Sequence, residues 1–207
     1  MGLWARLWAA GFEVLGKRFQ KVEGPYRERL VSEVAGEVLE VGAGTGFNFT
    51  HYRAASRVVA IEPEDAMRSR AVRRAADAQV PVEVRPGNAH RLDFPDGSFD
   101  AVIYSLVLCT IPDPALALTE AKRVLRPGGE IRFYEHVRST DPAVARRQDR
   151  ILKPWRAFNR GCHPNRDTPA TISEAGFEIR EMERFDQAGV PKVAKPHILG
   201  SAVKGTA

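Results

Sequence analysis

A run of glycines between two carboxylates carries the clearest chemical signal in this 207-residue sequence. Three glycines follow an apolar stretch at every second position: Gly42, Gly44 and Gly46. Glycine has no Cβ, so a loop of this kind turns tightly and lets its backbone approach a ligand closely. Glu40 precedes the loop, and Glu62 ends the next apolar stretch, 20 residues after Gly42. The pattern predicts a nucleoside-binding loop in which Glu62 accepts hydrogen bonds from sugar hydroxyls.

Two kinds of nucleoside ligand are considered for this loop: a dinucleotide and S-adenosylmethionine. A dinucleotide site needs the spacing Gly-x-Gly-x-x-Gly, and the last position of that pattern falls on Phe47. A bulky side chain there opposes close packing of helix on sheet over a pyrophosphate. S-adenosylmethionine has no pyrophosphate, and its ammonium group needs an acceptor such as Glu40 or a loop carbonyl. The spacing therefore favours S-adenosylmethionine as the cofactor.

Strands and helices alternate on both sides of the loop. Apolar stretches predict five strands, at residues 37–41, 57–62, 80–85, 98–106 and 130–137. Helical patterns are expected between them, near 47–52 and over 64–78 and 114–125. This alternation is typical of right-handed βαβ units, so the predicted fold class is α/β with a doubly wound parallel sheet.

Further polar side chains stand where predicted strands begin or end. In an open α/β sheet, ligands bind beyond the carboxyl ends of the strands. Asn88 and Ala89 follow the third predicted strand, so we expect the Asn88 side chain and a backbone amide to contact the adenine edge. His136 ends the fifth predicted strand, and His197 opens the last one. Their imidazoles are the candidates for orienting a methyl acceptor or removing its proton.

The N-terminal segment allows two interpretations. Residues 2–20 have the apolar spacing of an amphipathic helix, Gly24-Pro25 is expected to break the chain, and a second helix is expected over about 26–34. The segment either folds over the cofactor as a lid, with Trp8 and Tyr26 as walls of the acceptor pocket, or lies on a membrane surface.

The C-terminal third predicts two helices followed by two strands. A basic, helical insert is expected over 141–161 and a helix near 168–175. Strands are expected at 176–185 and within 197–204, joined by a loop with no crossover helix. A short connection of this kind predicts an antiparallel hairpin at the edge of the sheet.

Composition limits what else the chain can be. With 43% hydrophobic and 28% charged residues, it has the apolar content of a globular domain and not of a disordered chain. We interpret residues 1–35 as an N-terminal helical lid and 36–207 as one catalytic domain. Two cysteines cannot build a disulfide framework, and no signal peptide is recognised, so a cytoplasmic location is expected, with peripheral membrane contact through residues 2–20 as the alternative.

Charge and residue usage add two expectations. The net charge of +5 permits contact with nucleic acid or anionic lipid. The basic residues are scattered along the chain, however, so nucleic acid is not expected as a partner. The abundance of arginine and alanine favours a bacterial source. The oligomeric state is expected to be a monomer or a homodimer.

Four motifs resemble, in order, the class I S-adenosylmethionine-dependent methyltransferases of the small-molecule type. They are VLEVGAGTG, AIEP, GNAHRLDFPDGSFDAV and RVLRPGGEI, and together they cover about 38–137. The resemblance implies a Rossmann-like, mostly parallel sheet of seven strands whose last strand is antiparallel. It also implies cofactor contacts at ten residues: Glu40, Gly42, Gly44, Gly46, Glu62, Pro63, Asn88, Ala89, Ser105 and Leu106.

A closer resemblance extends the likeness to about 38–204. The segments SLVLCTI, FYEHVR, FNRGCHPNRDT and KPHILGSAVK are similar to the alkyl-thiol S-methyltransferases of animal membranes. The resemblance implies methyl transfer to a thiol. The alternatives are O-, C- or N-methylation of a phenol, a quinone or a lipid amine, and a non-catalytic protein that binds the cofactor or RNA.

Methyl transfer to a thiol needs positioning more than acid–base chemistry. A thiol has a pKa near 8.5, so its ionisation near neutral pH costs only about 1.4 kcal/mol per pH unit. The candidate catalytic residues are His136 and His197, which would orient the acceptor or remove its proton. No Cys-x-x-Cys or His-Glu-x-x-His spacing is present, so no metal is expected. Cys109 and Cys162 are interpreted mainly as small, buried apolar residues, with an attacking thiol or a metal ligand as the alternative for Cys162.

Overall fold

The computed structural model describes residues 21–205. Seven strands are present in this part of the chain: β1 (Gly36–Val41), β2 (Ala55–Ile61), β3 (Val82–Arg85), β4 (Phe99–Ser105), β5 (Leu125–His136), β6 (Phe177–Asp186) and β7 (Pro196–Lys204). The helices are α1 (21–31), α2 (Asp65–Ala75), α3 (Pro114–Val124), α4 (Pro142–Phe158) and α5 (Thr168–Glu174). Short 3-10 turns lie at Phe49–His51 and Lys192–Ala194.

One seven-stranded sheet joins these elements in the order β3-β2-β1-β4-β5-β7-β6. The first five strands pair in parallel. Strand β7 lies antiparallel between β5 and β6, and its His197 faces His136 of β5 in the register. The predicted α/β fold, the antiparallel last strand and the hairpin at the sheet edge are therefore confirmed.

The sheet is buried on both faces because its central strands are apolar at consecutive positions. In β1, Val38 belongs to one core cluster, and Leu39 belongs to the other. The Leu39 cluster includes α3 and α5, whereas the Val38 cluster includes the end of α1, Tyr52 and α2. Parallel strands covered by helices on both faces are expected to be largely apolar. The buried apolar residues of β1 and β4 fit this expectation, and Glu40 is a buried polar exception in β1.

Two expectations about helices are wrong. Residues 21–31 form one continuous helix through Gly24-Pro25, because Leu30 and Val31 are fully buried against the sheet and tertiary packing outweighs the local helix-breaking tendency. The helix expected near 47–52 is only the 3-10 turn at Phe49–His51. The residues just before this turn adopt the conformation of the glycine loop, so they do not begin a longer helix.

Several expectations fall on residues that lie outside the described part. These are the amphipathic helix over 2–20, its membrane contact, and the pocket wall at Trp8. Among the helices within residues 21–205, none combines the length and the apolar character needed to cross a membrane.

Helix α3 offers a matched test of this packing. Leu118 is fully buried in the core, whereas Leu116 on the same helix is 43% exposed. We expect Leu118→Ala to lower the free energy of unfolding by about 2–5 kcal/mol, because it leaves a cavity. The control Leu116→Ala is expected to change it by less than about 0.5 kcal/mol. Urea unfolding measures both, and equal losses would contradict the packing described here.

Candidate cofactor and acceptor site

The glycine loop directly follows β1 and has a backbone that other residues adopt only with strain. Gly42, Gly44 and Gly46 have φ angles of +67°, +60° and +81°. The amides of Gly42 and Ala43 donate to the Ile61 carbonyl at 2.9 and 3.0 Å, which fixes the loop to the end of β2. A Cβ on Gly42 would collide with Val107, so this position requires glycine for space as well as conformation.

Glu62 lies directly after β2 and faces the same loop. Its Oε2 accepts from the Gly44 amide and its Oε1 from the Glu64 amide, both at 2.9 Å. The residue is 8% exposed, and this burial raises its pKa to about 7 against the opposing effects of the Gly44 hydrogen bond and of Arg160 and Arg68. A carboxylate is therefore held at the rim of the loop, where acceptors for ribose hydroxyls are expected.

Glu40 is engaged by neighbouring side chains. Its Oε1 accepts from Asn48 Nδ2 at 3.0 Å, and its Oε2 accepts from the Tyr52 hydroxyl at 2.8 Å. Burial raises its pKa to about 7, against these hydrogen bonds and the charge of Arg27. The carboxyl group thus ties strand β1 to the turn that follows the glycine loop.

Arg27 is a polar residue of the site that the sequence did not single out. Its Nη1 donates to Asn48 Oδ1 at 2.8 Å and to Ser105 Oγ at 3.0 Å, and its Nη2 donates to Glu23 at 2.7 Å. The guanidinium therefore joins helix α1 to the glycine-loop turn and to the end of β4. A single arginine in an amphipathic helix gives no signal in the sequence for such a role.

The other residues expected to contact the cofactor stand at the ends of β2, β3 and β4. Asn88 is exposed, and its Oδ1 accepts from the His90 amide at 2.9 Å. Pro63 is exposed, and Ala89 packs against the core. Leu106 has a φ angle of +56°, and its amide donates to the Tyr134 carbonyl at 2.7 Å.

These residues together fit the cofactor. Since β2 and β4 flank β1, the fold brings the glycine loop, Glu62 and Ser105 to one edge of the sheet. A Cβ on Gly44 would meet nothing nearer than Met67 Cε at 3.7 Å, so the middle of the loop leaves room for a ligand. An open glycine backbone beside a buried carboxylate suits a nucleoside that carries no phosphate.

Glu135 is a buried carboxylate that the sequence analysis missed. It is the next-to-last residue of β5, is fully buried, and accepts hydrogen bonds from three consecutive backbone amides: Val107 at 2.9 Å, Leu108 at 2.8 Å and Cys109 at 3.1 Å. Burial raises its pKa to about 7, although the three hydrogen bonds oppose that shift. The sequence feature that could have identified Glu135 is an acidic residue next to His136 within a predicted buried strand. Glu135 shapes the loop after β4.

The two candidate histidines lie side by side. The rings of His136 and His197 have centroids 4.4 Å apart, at 62°. His197 Nδ1 lies 2.8 Å from the Lys195 carbonyl oxygen. Burial, and next the charge of His136, lower the pKa of His197 to about 3, so His197 is neutral at physiological pH. The structure therefore brings together two residues that are 61 positions apart in the sequence.

Two cysteines meet beside His136. Cys162 Sγ lies 3.6 Å from Cys109 Sγ and 3.4 Å from His136 Nδ1. The hydrogen bond with Cys109, followed by the interaction with His136, lowers the pKa of Cys162 despite its burial. Burial alone would lower the pKa of His136, but its contact with Cys162 raises it. The interpretation of the cysteines as ordinary apolar residues is therefore incomplete, because chain folding makes them neighbours.

A row of stacked rings connects helix α1 to these histidines. Tyr26 stacks on Phe185 at a centroid distance of 4.3 Å, and Tyr134 lies 5.4 Å from His197. The Tyr134 hydroxyl is buried and has no hydrogen-bond partner within residues 21–205. Phe185 thus links Tyr26 of helix α1 to the ring of His197.

Several known proteins that are similar to this chain are methyltransferases. Residues 39–133 match the model of a methyltransferase domain family. The human thiol S-methyltransferases TMT1B and TMT1A are 33% and 31% identical to the chain, and each alignment covers 99% of this chain and 90% of the relative.

A solved structure has the same fold. Geranyl diphosphate C-methyltransferase from Streptomyces coelicolor, solved with Mg²⁺, geranyl diphosphate and S-adenosyl-L-homocysteine, superposes with a TM-score of 0.68 at 16% identity. The match covers 89% of this chain and 78% of that one. With the glycine loop and Glu62 in place, the chain belongs to the S-adenosylmethionine-dependent methyltransferases, in the family of the thiol S-methyltransferases.

Proposed function

We propose that this methyltransferase acts on a small-molecule thiol. The observation that carries the proposal is the meeting of two sites at one sheet edge. The glycine loop and Glu62 form one site, and His136, His197 and the two cysteines form the other. The similarity to the two human thiol S-methyltransferases over 99% of the chain supports the same acceptor class.

The cofactor side of the proposal assigns a role to each group. The open backbone at Gly42, Gly44 and Gly46 would leave room for the methionyl part, with Glu40 fixing the shape of the turn that follows their loop. Glu62 would accept the ribose hydroxyls, and Asn88 with Ala89 would meet the adenine. The walls of the cofactor site would be completed by Pro63, Ser105 and Leu106. When bound, S-adenosylmethionine supplies an electrophilic methyl group on a sulfonium.

The acceptor side is proposed to act by positioning. Tyr26 and the aromatic row would enclose an alkyl chain and exclude water, which strengthens electrostatic interactions within the pocket. His136 would orient the acceptor sulfur or receive its proton, and His197, whose lowered pKa keeps it neutral, would help to orient the sulfur. Because thiol ionisation costs little near neutral pH, a well-placed acceptor gains mainly from alignment.

Acceptor choice is tested with a panel of compounds. Purified protein is incubated with methyl-labelled S-adenosylmethionine and, separately, an alkyl thiol, a phenol and a phospholipid amine. We expect methyl thioether formation from the thiol and at least about tenfold slower turnover of the others, because ionising a phenol of pKa near 10 costs about 2 kcal/mol more. Failure with every thiol alongside methylation of a phenol or amine would reject the thiol proposal.

The role of Glu62 is tested by a conservative substitution. Hydrogen bonds to a charged acceptor contribute about 1.5–3 kcal/mol, so Glu62→Gln is expected to weaken cofactor binding by about 10- to 100-fold. The control Glu83→Gln makes the same change in an exposed ion pair with Arg57 and Arg85, and we expect it to leave affinity unchanged. Isothermal titration calorimetry gives both values, and equal affinities would refute the assignment.

The raised pKa of Glu62 predicts how cofactor affinity depends on pH. With a pKa of about 7 in the free protein, the carboxylate is mostly protonated at pH 6 and mostly ionised at pH 8. The ionised form accepts both ribose hydroxyls, so affinity should rise by up to about tenfold across this interval. Glu40 and Glu135 also titrate near pH 7, but they remain in the Glu62→Gln variant. A wild-type pH dependence no steeper than that of the variant would contradict the prediction.

A further inference from the structure

The cluster of Cys109, His136 and Cys162 has the composition and spacing of a metal site. Each residue offers one ligand atom, and the three atoms lie within 4.8 Å of one another. Two thiolates and one imidazole form a donor set that zinc prefers. In a tetrahedral site with Zn–S bonds of about 2.3 Å, two sulfurs lie about 3.8 Å apart. The observed Sγ–Sγ separation of 3.6 Å therefore needs little adjustment.

We propose that these three side chains bind Zn²⁺ and that its fourth position takes the thiolate of the methyl acceptor. The proposal rests on the thiol-methylating function proposed above and adds the means by which the thiol is held and ionised. Zinc sites with three protein ligands and one open position are typical of catalysis, whereas purely structural sites usually have four protein ligands.

Neighbouring groups already hold the ligands in place. The Cys109 amide donates to Glu135 at 3.1 Å, and its carbonyl accepts from the His163 amide at 2.7 Å. The Cys162 amide donates to the Asn159 carbonyl at 2.9 Å. Because backbone bonds fix both cysteines, the ligand atoms are largely preorganised, and little conformational entropy is lost when a metal binds.

The charge balance of the region also suits this arrangement. Zinc with two thiolates and a neutral imidazole carries no net charge, and an acceptor thiolate makes the site singly negative. Arg166 supplies a nearby positive charge, since its guanidinium donates to the carbonyls of Leu108 and Ile111, on either side of Cys109. This cation offsets the charge that arrives with the acceptor.

The position of the cluster places it on the acceptor side of the site. Val107, which contacts the glycine loop at Gly42, is two residues before Cys109. His136 is only half-buried, whereas Cys109 and Cys162 are buried, so the cluster is nearest to solvent on the His136 side. The neutral His197 ring packs against His136 beside the cluster.

The chemical step balances without any further reagent. Coordination releases the thiol proton to solvent, because zinc favours the thiolate. A lone pair of the acceptor sulfur then forms the new S–C bond to the methyl carbon. The C–S bond of the sulfonium breaks, and its electron pair stays on the sulfur of S-adenosylhomocysteine. The neutral thioether product is a weaker zinc ligand than the thiolate, so it leaves.

Metal binding is tested directly on the full chain. Reduced protein is stripped with a chelator, and zinc affinity and stoichiometry are measured by competition with a chromophoric chelator. We expect one zinc per chain, and a loss of affinity of at least about 100-fold in Cys109→Ser and Cys162→Ser, which exceeds the usual effect of groups outside the ligand shell. His136→Ala is expected to weaken binding likewise, whereas the control His51→Ala is expected to bind normally. Absence of zinc binding by the wild type would overturn the proposal.

The acceptor position is tested with Co²⁺ in the wild-type protein, which needs no variant to fold. Tetrahedral Co²⁺ bound by sulfur has visible absorption bands that respond to a change of the fourth ligand. We expect an added alkyl thiol to shift these bands and an alkyl alcohol of equal length to leave them unchanged. Bands that do not respond to the thiol would overturn the acceptor assignment.

A parallel activity measurement separates the two proposals. Zinc-free protein that methylates thiols at the full rate would overturn the zinc proposal and leave the thiol methyltransferase intact. Zinc-loaded protein that binds S-adenosylmethionine and methylates no thiol would overturn the proposed function. Loss of thiol methylation on zinc removal and its recovery on zinc addition, with cofactor affinity unchanged, would support both.

Discussion

Glu135 is the residue on which the arrangement of both sites depends. A fully buried carboxylate is costly unless its oxygens are hydrogen-bonded, and here three successive amides supply the bonds. The same bonds oblige the chain after β4 to turn at Leu106, which has a positive φ angle. Val107 then meets the glycine loop, and Cys109 meets the second cysteine. One side chain on β5 therefore sets the relative position of the glycine loop and of the cluster of Cys109, His136 and Cys162.

The order of the strands explains why the site forms where it does. Strand β1 lies between β2 and β4, so the glycine loop receives Glu62 from one side and Ser105 from the other. Strand β5 lies next to β4 and carries Glu135 and His136 to the same edge. The antiparallel β7 begins at that edge, which is why His197, near its start, faces His136, near the end of β5. The sheet thus gathers residues that are distant in the sequence.

Local patterns were sufficient to predict most of the fold. Strands such as β1 and β4 are mostly apolar stretches of the sequence. The spacing of the three loop glycines favours S-adenosylmethionine over a dinucleotide. The path of the chain through Gly24-Pro25 was not predictable locally, because buried contacts of Leu30 and Val31 with the sheet decide it. Likewise, Cys109 and Cys162 are 53 residues apart, and no short motif joins them. Their meeting depends on a loop shape that Glu135 imposes through three-dimensional contacts.

The position of β7 has a consequence for synthesis on the ribosome. Strand β6 is made before β7 and, among the strands of residues 21–205, pairs only with β7, so a nascent chain that ends before Pro196 offers it no partner from these strands. In such a chain the edge of β5 is also unpaired, and the segment that carries His197 is missing. Because unpaired strand edges promote association with other chains, both edges favour such association until β7 is in place. Strand β7 thus closes the sheet between β5 and β6 and at the same time brings His197 beside His136.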